Sequence, residues 1–203
     1  CQGGCKVVGV PVASTAMEKS QSVSEVTFTA FDFETTGLNP AHDRIIELGA
    51  VRFRNGEVAG EFQALVDPEI PLLQGARELT GITPRVLAGK PAVGEVLPQF
   101  LEFIGDSVLV AHNAGFDIAF LRAAMQEGKL EAVRNPLIDT QILAQKAYPR
   151  QKSYSLQYLV EFLGIPPNNA HRALDDAVMC MRLFNACVEQ MAFMGEISLG
   201  EVL

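Results

Sequence analysis

Asp32 and Glu34 stand two residues apart at the end of the apolar run Thr27-Phe28-Thr29-Ala30-Phe31-Asp32-Phe33-Glu34-Thr35-Thr36-Gly37. In a strand, side chains at i and i+2 project to one side, so this run ends by presenting two carboxylates on the same face. Two carboxylates a few ångströms apart repel, which raises a pKa or calls in a cation. Oxygen-only ligands of this kind suit Mg²⁺ or Mn²⁺. On its own, Asp-x-Glu is a short motif with a high false-positive rate, and a strand end turning into solvent looks the same. Its meaning depends on what else the chain supplies.

A third acid follows a second apolar run. After Val108-Leu109-Val110-Ala111 comes His112-Asn113-Ala114-Gly115-Phe116-Asp117, and a helical pattern continues through Leu121, Ala124 and Met125. Asp117 shares a face with Leu121 and Ala124. An Asp in the first helical turn is favoured by the macrodipole by about 0.3–1 kcal/mol. That accounts for its place along the helix but not for its inward face, because charged groups are seldom buried without a partner.

The last element is His171-Arg172-Ala173-Leu174-Asp175-Asp176, opening a long helical pattern. A histidine followed by acids at a helix start can supply a general base and a metal ligand. Spacing leaves the acid open. On an unbroken helix Asp175 shares the face of His171 and Asp176 lies about 140° away; if His171 lies on the preceding loop, either acid can be the ligand.

The elements that must position these groups are legible in outline. Strand patterns at Val26 to Phe33, Arg44 to Arg54 and Glu57 to Val66 come first, and Asn55-Gly56 between two of them is a hairpin signal. An antiparallel meander is expected. Helices near Val93 to Ile104, Phe116 to Glu127, Thr140 to Ala147, Ser155 to Leu163 and His171 to Met191 then alternate with strands at Ser107 to Ala111 and Leu137-Ile138. Strands joined by crossover helices pair in parallel. The expected architecture is α/β, on a mixed five-stranded sheet.

With 203 residues, 48% of them hydrophobic and 20% charged, one globular domain is expected, with no stretch long and apolar enough to cross a bilayer. Residues 1–24 read as a disordered leader and 25–203 as the folded domain. The leader holds Cys1 and Cys5, and a helical pattern holds Cys180 and Cys187, which is no disulfide framework. A reducing cytoplasm is the expected location. A net charge of −8 argues against gripping long duplexes through counterion release. It does not argue against holding one strand end, since carboxylates loaded with divalent ions act as a cationic site. The one basic concentration, Lys146, Arg150 and Lys152 interleaved with Tyr148 and Tyr154, has the composition of a single-strand contact as well as of a solvated loop. Glu47 reads as a supporting group or an inward acid paired within the sheet, Asp139 as an N-cap, and His112 as structural or substrate-adjacent.

Taken together, Phe31-Asp32-Phe33-Glu34-Thr35-Thr36-Gly37-Leu38, Ile45 to Val51, Leu79-Thr80-Gly81-Ile82-Thr83, Val110 to Asp117, Ile138-Asp139-Thr140 and His171 to Asp176 resemble the successive motifs of the DEDD 3′–5′ exonucleases, histidine subclass. The likeness runs from about Val26 to Val188 and is greatest to the proofreading epsilon subunit of bacterial DNA polymerase III and its freestanding relatives. The resemblance implies a ribonuclease-H-like fold, metal ligands at Asp32, Glu34, Asp117 and Asp176, and His171 as the base. It selects Asp176 over Asp175. It further implies that Thr35, Thr36 and Leu38 approach the terminal nucleotide, with Phe116 and Phe120 near it. Thr80 stands where epsilon-type members often carry His.

The activity implied is removal of nucleoside 5′-monophosphates from single-stranded DNA 3′ ends, with two Mg²⁺ or Mn²⁺ ions about 3.5–4 Å apart at the attacking and leaving oxygens. RNA 3′ ends are the alternative substrate, because nothing in these motifs separates ribose from deoxyribose. A DNA polymerase is the implied protein partner, and no membrane is expected. The rival class is an accessory module that grips 3′ ends without turnover; it would have no need of four carboxylates and a histidine.

Overall fold

The computed structural model describes residues 18–166 and 171–203. Five strands form one mixed sheet in the order β3-β2-β1-β4-β5. Strands β1 (Thr27–Thr35), β2 (Ile45–Arg54) and β3 (Glu57–Leu65) make the expected antiparallel meander, while β4 (Val108–Ala111) pairs parallel to β1 and β5 (Leu137–Asp139) parallel to β4. The β2–β3 turn is Asn55-Gly56 with both residues at positive φ (49° and 77°), the backbone that two-residue hairpins need.

Helices α1 (Gln74–Thr80) and α2 (Pro84–Leu87) lie between β3 and α3 (Val93–Ile104); α4 (Gly115–Glu127) follows β4 and α5 (Thr140–Ala147) follows β5. Then come α6 (Leu156–Phe162), the long α7 (Ala173–Met191) and a short α8 (Leu199–Val202). The first two and the last were not expected. They are four to seven residues long, too short to display a helical period, and Leu73, Leu79 and Val86 around them are exposed.

The sheet has two apolar faces. Phe28, Ala30, Val51, Phe53, Val108 and Val110 pack under α5, α6 and α7. Phe31, Phe33, Leu48, Ala50, Leu109 and Ala111 pack under α3 and α4. Alternation along β1 therefore continues the row Phe28, Ala30 into Asp32 and Glu34 on the α7 side. Strand β1 runs two residues beyond its expected end, because its pairing with β2 persists through Glu34↔Glu47 to Thr35↔Ile45, with an irregularity between Glu34 and Thr35.

Helix α7 starts two residues later than expected. His171 has φ 63°, the left-handed region, which no α-helix contains, so it belongs to the preceding loop. The start of α7 sits hard against β2 at Gly49, where a Cβ would overlap the backbone of Ala173 and Leu174. Gly49→Ala is therefore expected to cost about 1–3 kcal/mol by overpacking, read as a lower urea midpoint at unchanged slope. An unchanged midpoint would show that α7 can back away freely.

Residues 1–17, with Cys1 and Cys5, lie outside the described residues. Within 18–24, however, the chain pairs with the C-terminal segment: Val23 N–H donates to the Ile197 carbonyl (3.0 Å), Leu199 N–H to that of Gln21 (2.8 Å) and Gly200 N–H to that of Lys19 (2.8 Å). Val23 is buried. A pairing between opposite ends of the sequence leaves no local pattern to read.

Candidate active site

The carboxyl ends of β1 and β4, the loop before α7 and the first turns of α4 and α7 converge on one cleft. Strand β4 pairs with β1 only from Phe28 to Ala30, so the Phe33 N–H lies beyond the parallel ladder and donates instead to Asp117 Oδ1 at 3.0 Å. That bond bolts α4 to β1 between Asp32 and Glu34. Asp117 is buried on the same side of α4 as Leu121, as its helical position predicts. Asp139 caps α5 through Gln141 N–H (2.8 Å), and its two oxygens also accept from Asn113 N–H (3.1 Å) and Ala114 N–H (3.0 Å). One N-cap thus fixes the loop that delivers Asp117.

On the other side, His171 N–H donates to Asp176 Oδ2 at 2.9 Å. Ligand atoms of Glu34, His171 and Asp176 all lie within 4.8 Å of one another. Asp176 is buried and Asp175 half-exposed, so with His171 on the loop the inward acid is Asp176.

Burial raises the pKa of all four acids, and the charges of the others add to it at Asp32 and Glu34. Burial, and then the charges of Asp117, Glu34 and Asp176, push the Asp32 carboxyl well above the ordinary carboxylate range. Burial and the charges of Asp176, Glu47 and Asp117 push Glu34 up to about 8, against a smaller lowering by Arg172. Burial takes Asp117 up to about 7 despite the Phe33 N–H bond, which favours its charged form. Asp176 is raised by burial too, against the His171 N–H bond. A cluster that ionises this reluctantly, built of carboxylate oxygens with one imidazole at its edge, fits hard divalent cations such as Mg²⁺ or Mn²⁺.

The residues expected near a terminal nucleotide separate into a tip and its supports. Leu38 is 82% exposed. Thr35 and Thr36 are buried: Thr35 Oγ1 donates to the Gly37 carbonyl (2.6 Å), and Thr36 Oγ1 donates to Asp43 Oδ1 (3.0 Å) while accepting from Arg44 N–H (3.0 Å). Phe116 is half-buried, and Phe120 lies in the core behind it, ring centroids 5.0 Å apart. Thr80 is buried, its hydroxyl donating to the Ala76 carbonyl (2.8 Å) and accepting from Ile82 N–H (3.1 Å).

The other polar residues resolve as supports. His112 bridges Thr140 Oγ1 (2.9 Å) and the Tyr154 carbonyl (3.0 Å), and burial lowers its pKa. Tyr148 and Tyr154 spend their hydroxyls on the Ala186 and Tyr148 carbonyls (both 2.9 Å). Their internal roles leave Lys146, Arg150 and Lys152 as exposed charges beside them. Sequence reasoning missed Gly49 and Arg172. A glycine inside an apolar strand signals a close backbone approach, so Gly49 could have been found; nothing local marks Arg172, whose partner Glu47 lies 125 residues away.

Residues 29–184 match the exonuclease family model RNase_T. The PolC-type DNA polymerase III of Thermotoga petrophila is 42% identical over 181 residues, 89% of this chain and 13% of the relative; that of Clostridium perfringens is 42% identical over 170 residues, 83% and 11%. The chain thus spans little more than a tenth of these relatives' length. Among solved structures, exonuclease X in complex with 5′ overhanging duplex DNA is 27% identical with a TM-score of 0.68, covering 82% of this chain and 93% of that one. Escherichia coli exonuclease I in complex with a dT13 oligonucleotide shares the fold at 21% identity and a TM-score of 0.74, covering 84% and 42%. With the family model spanning the sheet, the cleft and most of α7, the chain belongs to the exonuclease family of nucleases with the ribonuclease-H-like fold.

Proposed function

We propose that the chain is a metal-dependent 3′–5′ exonuclease that removes nucleoside 5′-monophosphates from single-stranded DNA ends. The observation that carries this reading is the convergence of Asp32, Glu34, Asp117 and Asp176, all raised in pKa by burial, beside the His171 loop. The four acids would hold two Mg²⁺ or Mn²⁺ ions, which when bound supply positive charge at the scissile phosphate and acidify the attacking water. His171 takes the proton of that water as it attacks the last phosphodiester in line. The P–O3′ bond breaks, the penultimate nucleotide keeps the 3′ oxygen, and the terminal one leaves as a 5′-monophosphate. Leu38 and Phe116 contact the terminal nucleotide; Thr35, Thr36 and Phe120 hold those contacts in place.

DNA is favoured over RNA because the PolC-type relatives are DNA polymerases and exonuclease X is bound to DNA. The same relatives favour proofreading alongside a replicative polymerase, hence a cytoplasmic setting; no helix among the described residues is long and apolar enough to cross a membrane. The exonuclease unit is residues 25–203, with 18–24 added by their pairing to the C-terminal segment.

The test is digestion of 5′-labelled single-stranded DNA and RNA of one sequence in Mn²⁺, each with a free 3′ end. Stepwise shortening of DNA from the 3′ end is expected, faster than of RNA and abolished by EDTA. Faster shortening of RNA would make the enzyme an exoribonuclease. Binding of 3′ ends without shortening would leave only an end-gripping module.

A further inference from the structure

Glu47 is the fifth carboxylate of the cleft, and its bonds set it apart from the other four. It lies directly across the β1–β2 ladder from Glu34, on the same face, and is completely buried. Its oxygens are fully engaged. Oε1 accepts from Gln63 Nε2 (2.8 Å) and from an Arg172 terminal nitrogen (2.8 Å), and Oε2 from Arg172 Nε (3.1 Å) and Ala173 N–H (3.2 Å). A bidentate Arg–carboxylate pair fixes orientation as well as distance. The main chain of the two residues after His171 is therefore held to the middle of the sheet, while His171 N–H is held to Asp176. Among the described residues no hydrogen bond restrains the His171 ring itself. Its aim depends on a backbone in the left-handed region, a conformation that costs free energy and persists only where its surroundings enforce it.

We propose that Glu47 is a positioning residue for the hydrolytic step: through Arg172 and the Ala173 N–H it fixes the backbone that aims His171 at the attacking water. This rests on the reading of His171 as the base. Glu47 acts on the hydrolytic step through these contacts and not on the substrate directly. The four hydrogen bonds it accepts leave it no place among the metal ligands, and Gly49, two residues along the same strand, gives the start of α7 room to come within its reach.

The test is a double-mutant cycle on single-turnover shortening of single-stranded DNA in saturating Mn²⁺, with Mn²⁺ binding followed calorimetrically. Glu47→Gln keeps the volume but cannot satisfy both donors of Arg172 and the Ala173 N–H as an anion does. It is expected to lower the rate of the chemical step about 10–100-fold, with KM for the oligonucleotide and the Mn²⁺ affinity each within about threefold of wild type. Arg172→Lys, which keeps charge but not the fork, is expected to fall between the two. In a His171→Ala background, Glu47→Gln is expected to cost less than about twofold, because two changes acting through one group do not add. An equal loss in both backgrounds would overturn the proposal and make Glu47 a general support of the fold. So would a tenfold weaker Mn²⁺ affinity, which would make it a support of the metal ligands. Failure of the wild-type protein itself to shorten DNA would instead overturn the function on which the proposal rests.

Discussion

Asp32→Asn is expected to lower exonuclease turnover by on the order of 10³-fold or more and, in EDTA at pH 8, to raise the melting temperature. The two effects have one cause. The Asp32 carboxyl is pushed well above the ordinary range by burial and by four neighbouring acids of the cleft, so in the metal-free protein its ionised form repels the groups around it. An amide of the same shape removes one negative charge and offers an N–H to those carboxylates. In a domain of this size each kcal/mol of repulsion relieved appears as roughly 2–4 °C. The same change removes an oxygen ligand from the proposed metal site, and with it several kcal/mol of transition-state stabilisation. Turnover within tenfold of wild type would remove Asp32 from the ligand set. A lower melting temperature in EDTA would mean that the carboxylate has a stabilising partner and that the cluster is not repulsive.

Asp32, Glu34 and Asp117 were legible because each breaks a local rule: acids at the end of an apolar strand, or an acid on the inward face of a helix. So were the meander, marked by Asn55-Gly56, and α3 and α5, whose ends fell where the apolar period and the Asp139 cap put them. What escaped depends on contacts distant in sequence. The choice of Asp176 over Asp175 turns on the backbone of His171, which no residue pattern encodes; the resemblance to a family supplied it. The Glu47–Arg172 pair joins residues 125 apart, and an isolated Glu in a strand gives no sign of its partner. The pairing of residues 19–23 with 197–200 is of the same kind. Helices α1 and α2 lack a periodic apolar face because they cover only a small cluster around Ile46, Ile82 and Leu87.

The stability of the metal-free protein is expected to fall as pH rises from about 4 to about 8, and divalent metal is expected to reverse the trend. Glu34 holds its proton up to about 8 and Asp117 up to about 7, whereas in the unfolded chain both carboxyls titrate near 4. Between those limits the folded protein binds more protons than the unfolded one, so the slope of unfolding free energy against pH is negative there. Below about 4 both states are protonated and these groups contribute no slope; above about 8 both are ionised and the full repulsion is in place. This is opposite in sign to a protein held by ordinary salt-bridged acids, which loses stability as pH falls. A divalent ion must displace the same protons, so its affinity increases across the same window. At a hundredfold excess of Mn²⁺ over its dissociation constant at pH 8, one bound ion adds about 2.7 kcal/mol, roughly 5–10 °C. At pH 5 the same Mn²⁺ concentration is expected to add little. Melting curves at half-unit pH steps, with EDTA and with Mn²⁺, separate the two contributions. A metal-free melting temperature that climbs from pH 5 to 8 would mean that the cleft carboxylates are ionised without cost, and an Mn²⁺ increment independent of pH would mean that the ion binds away from them.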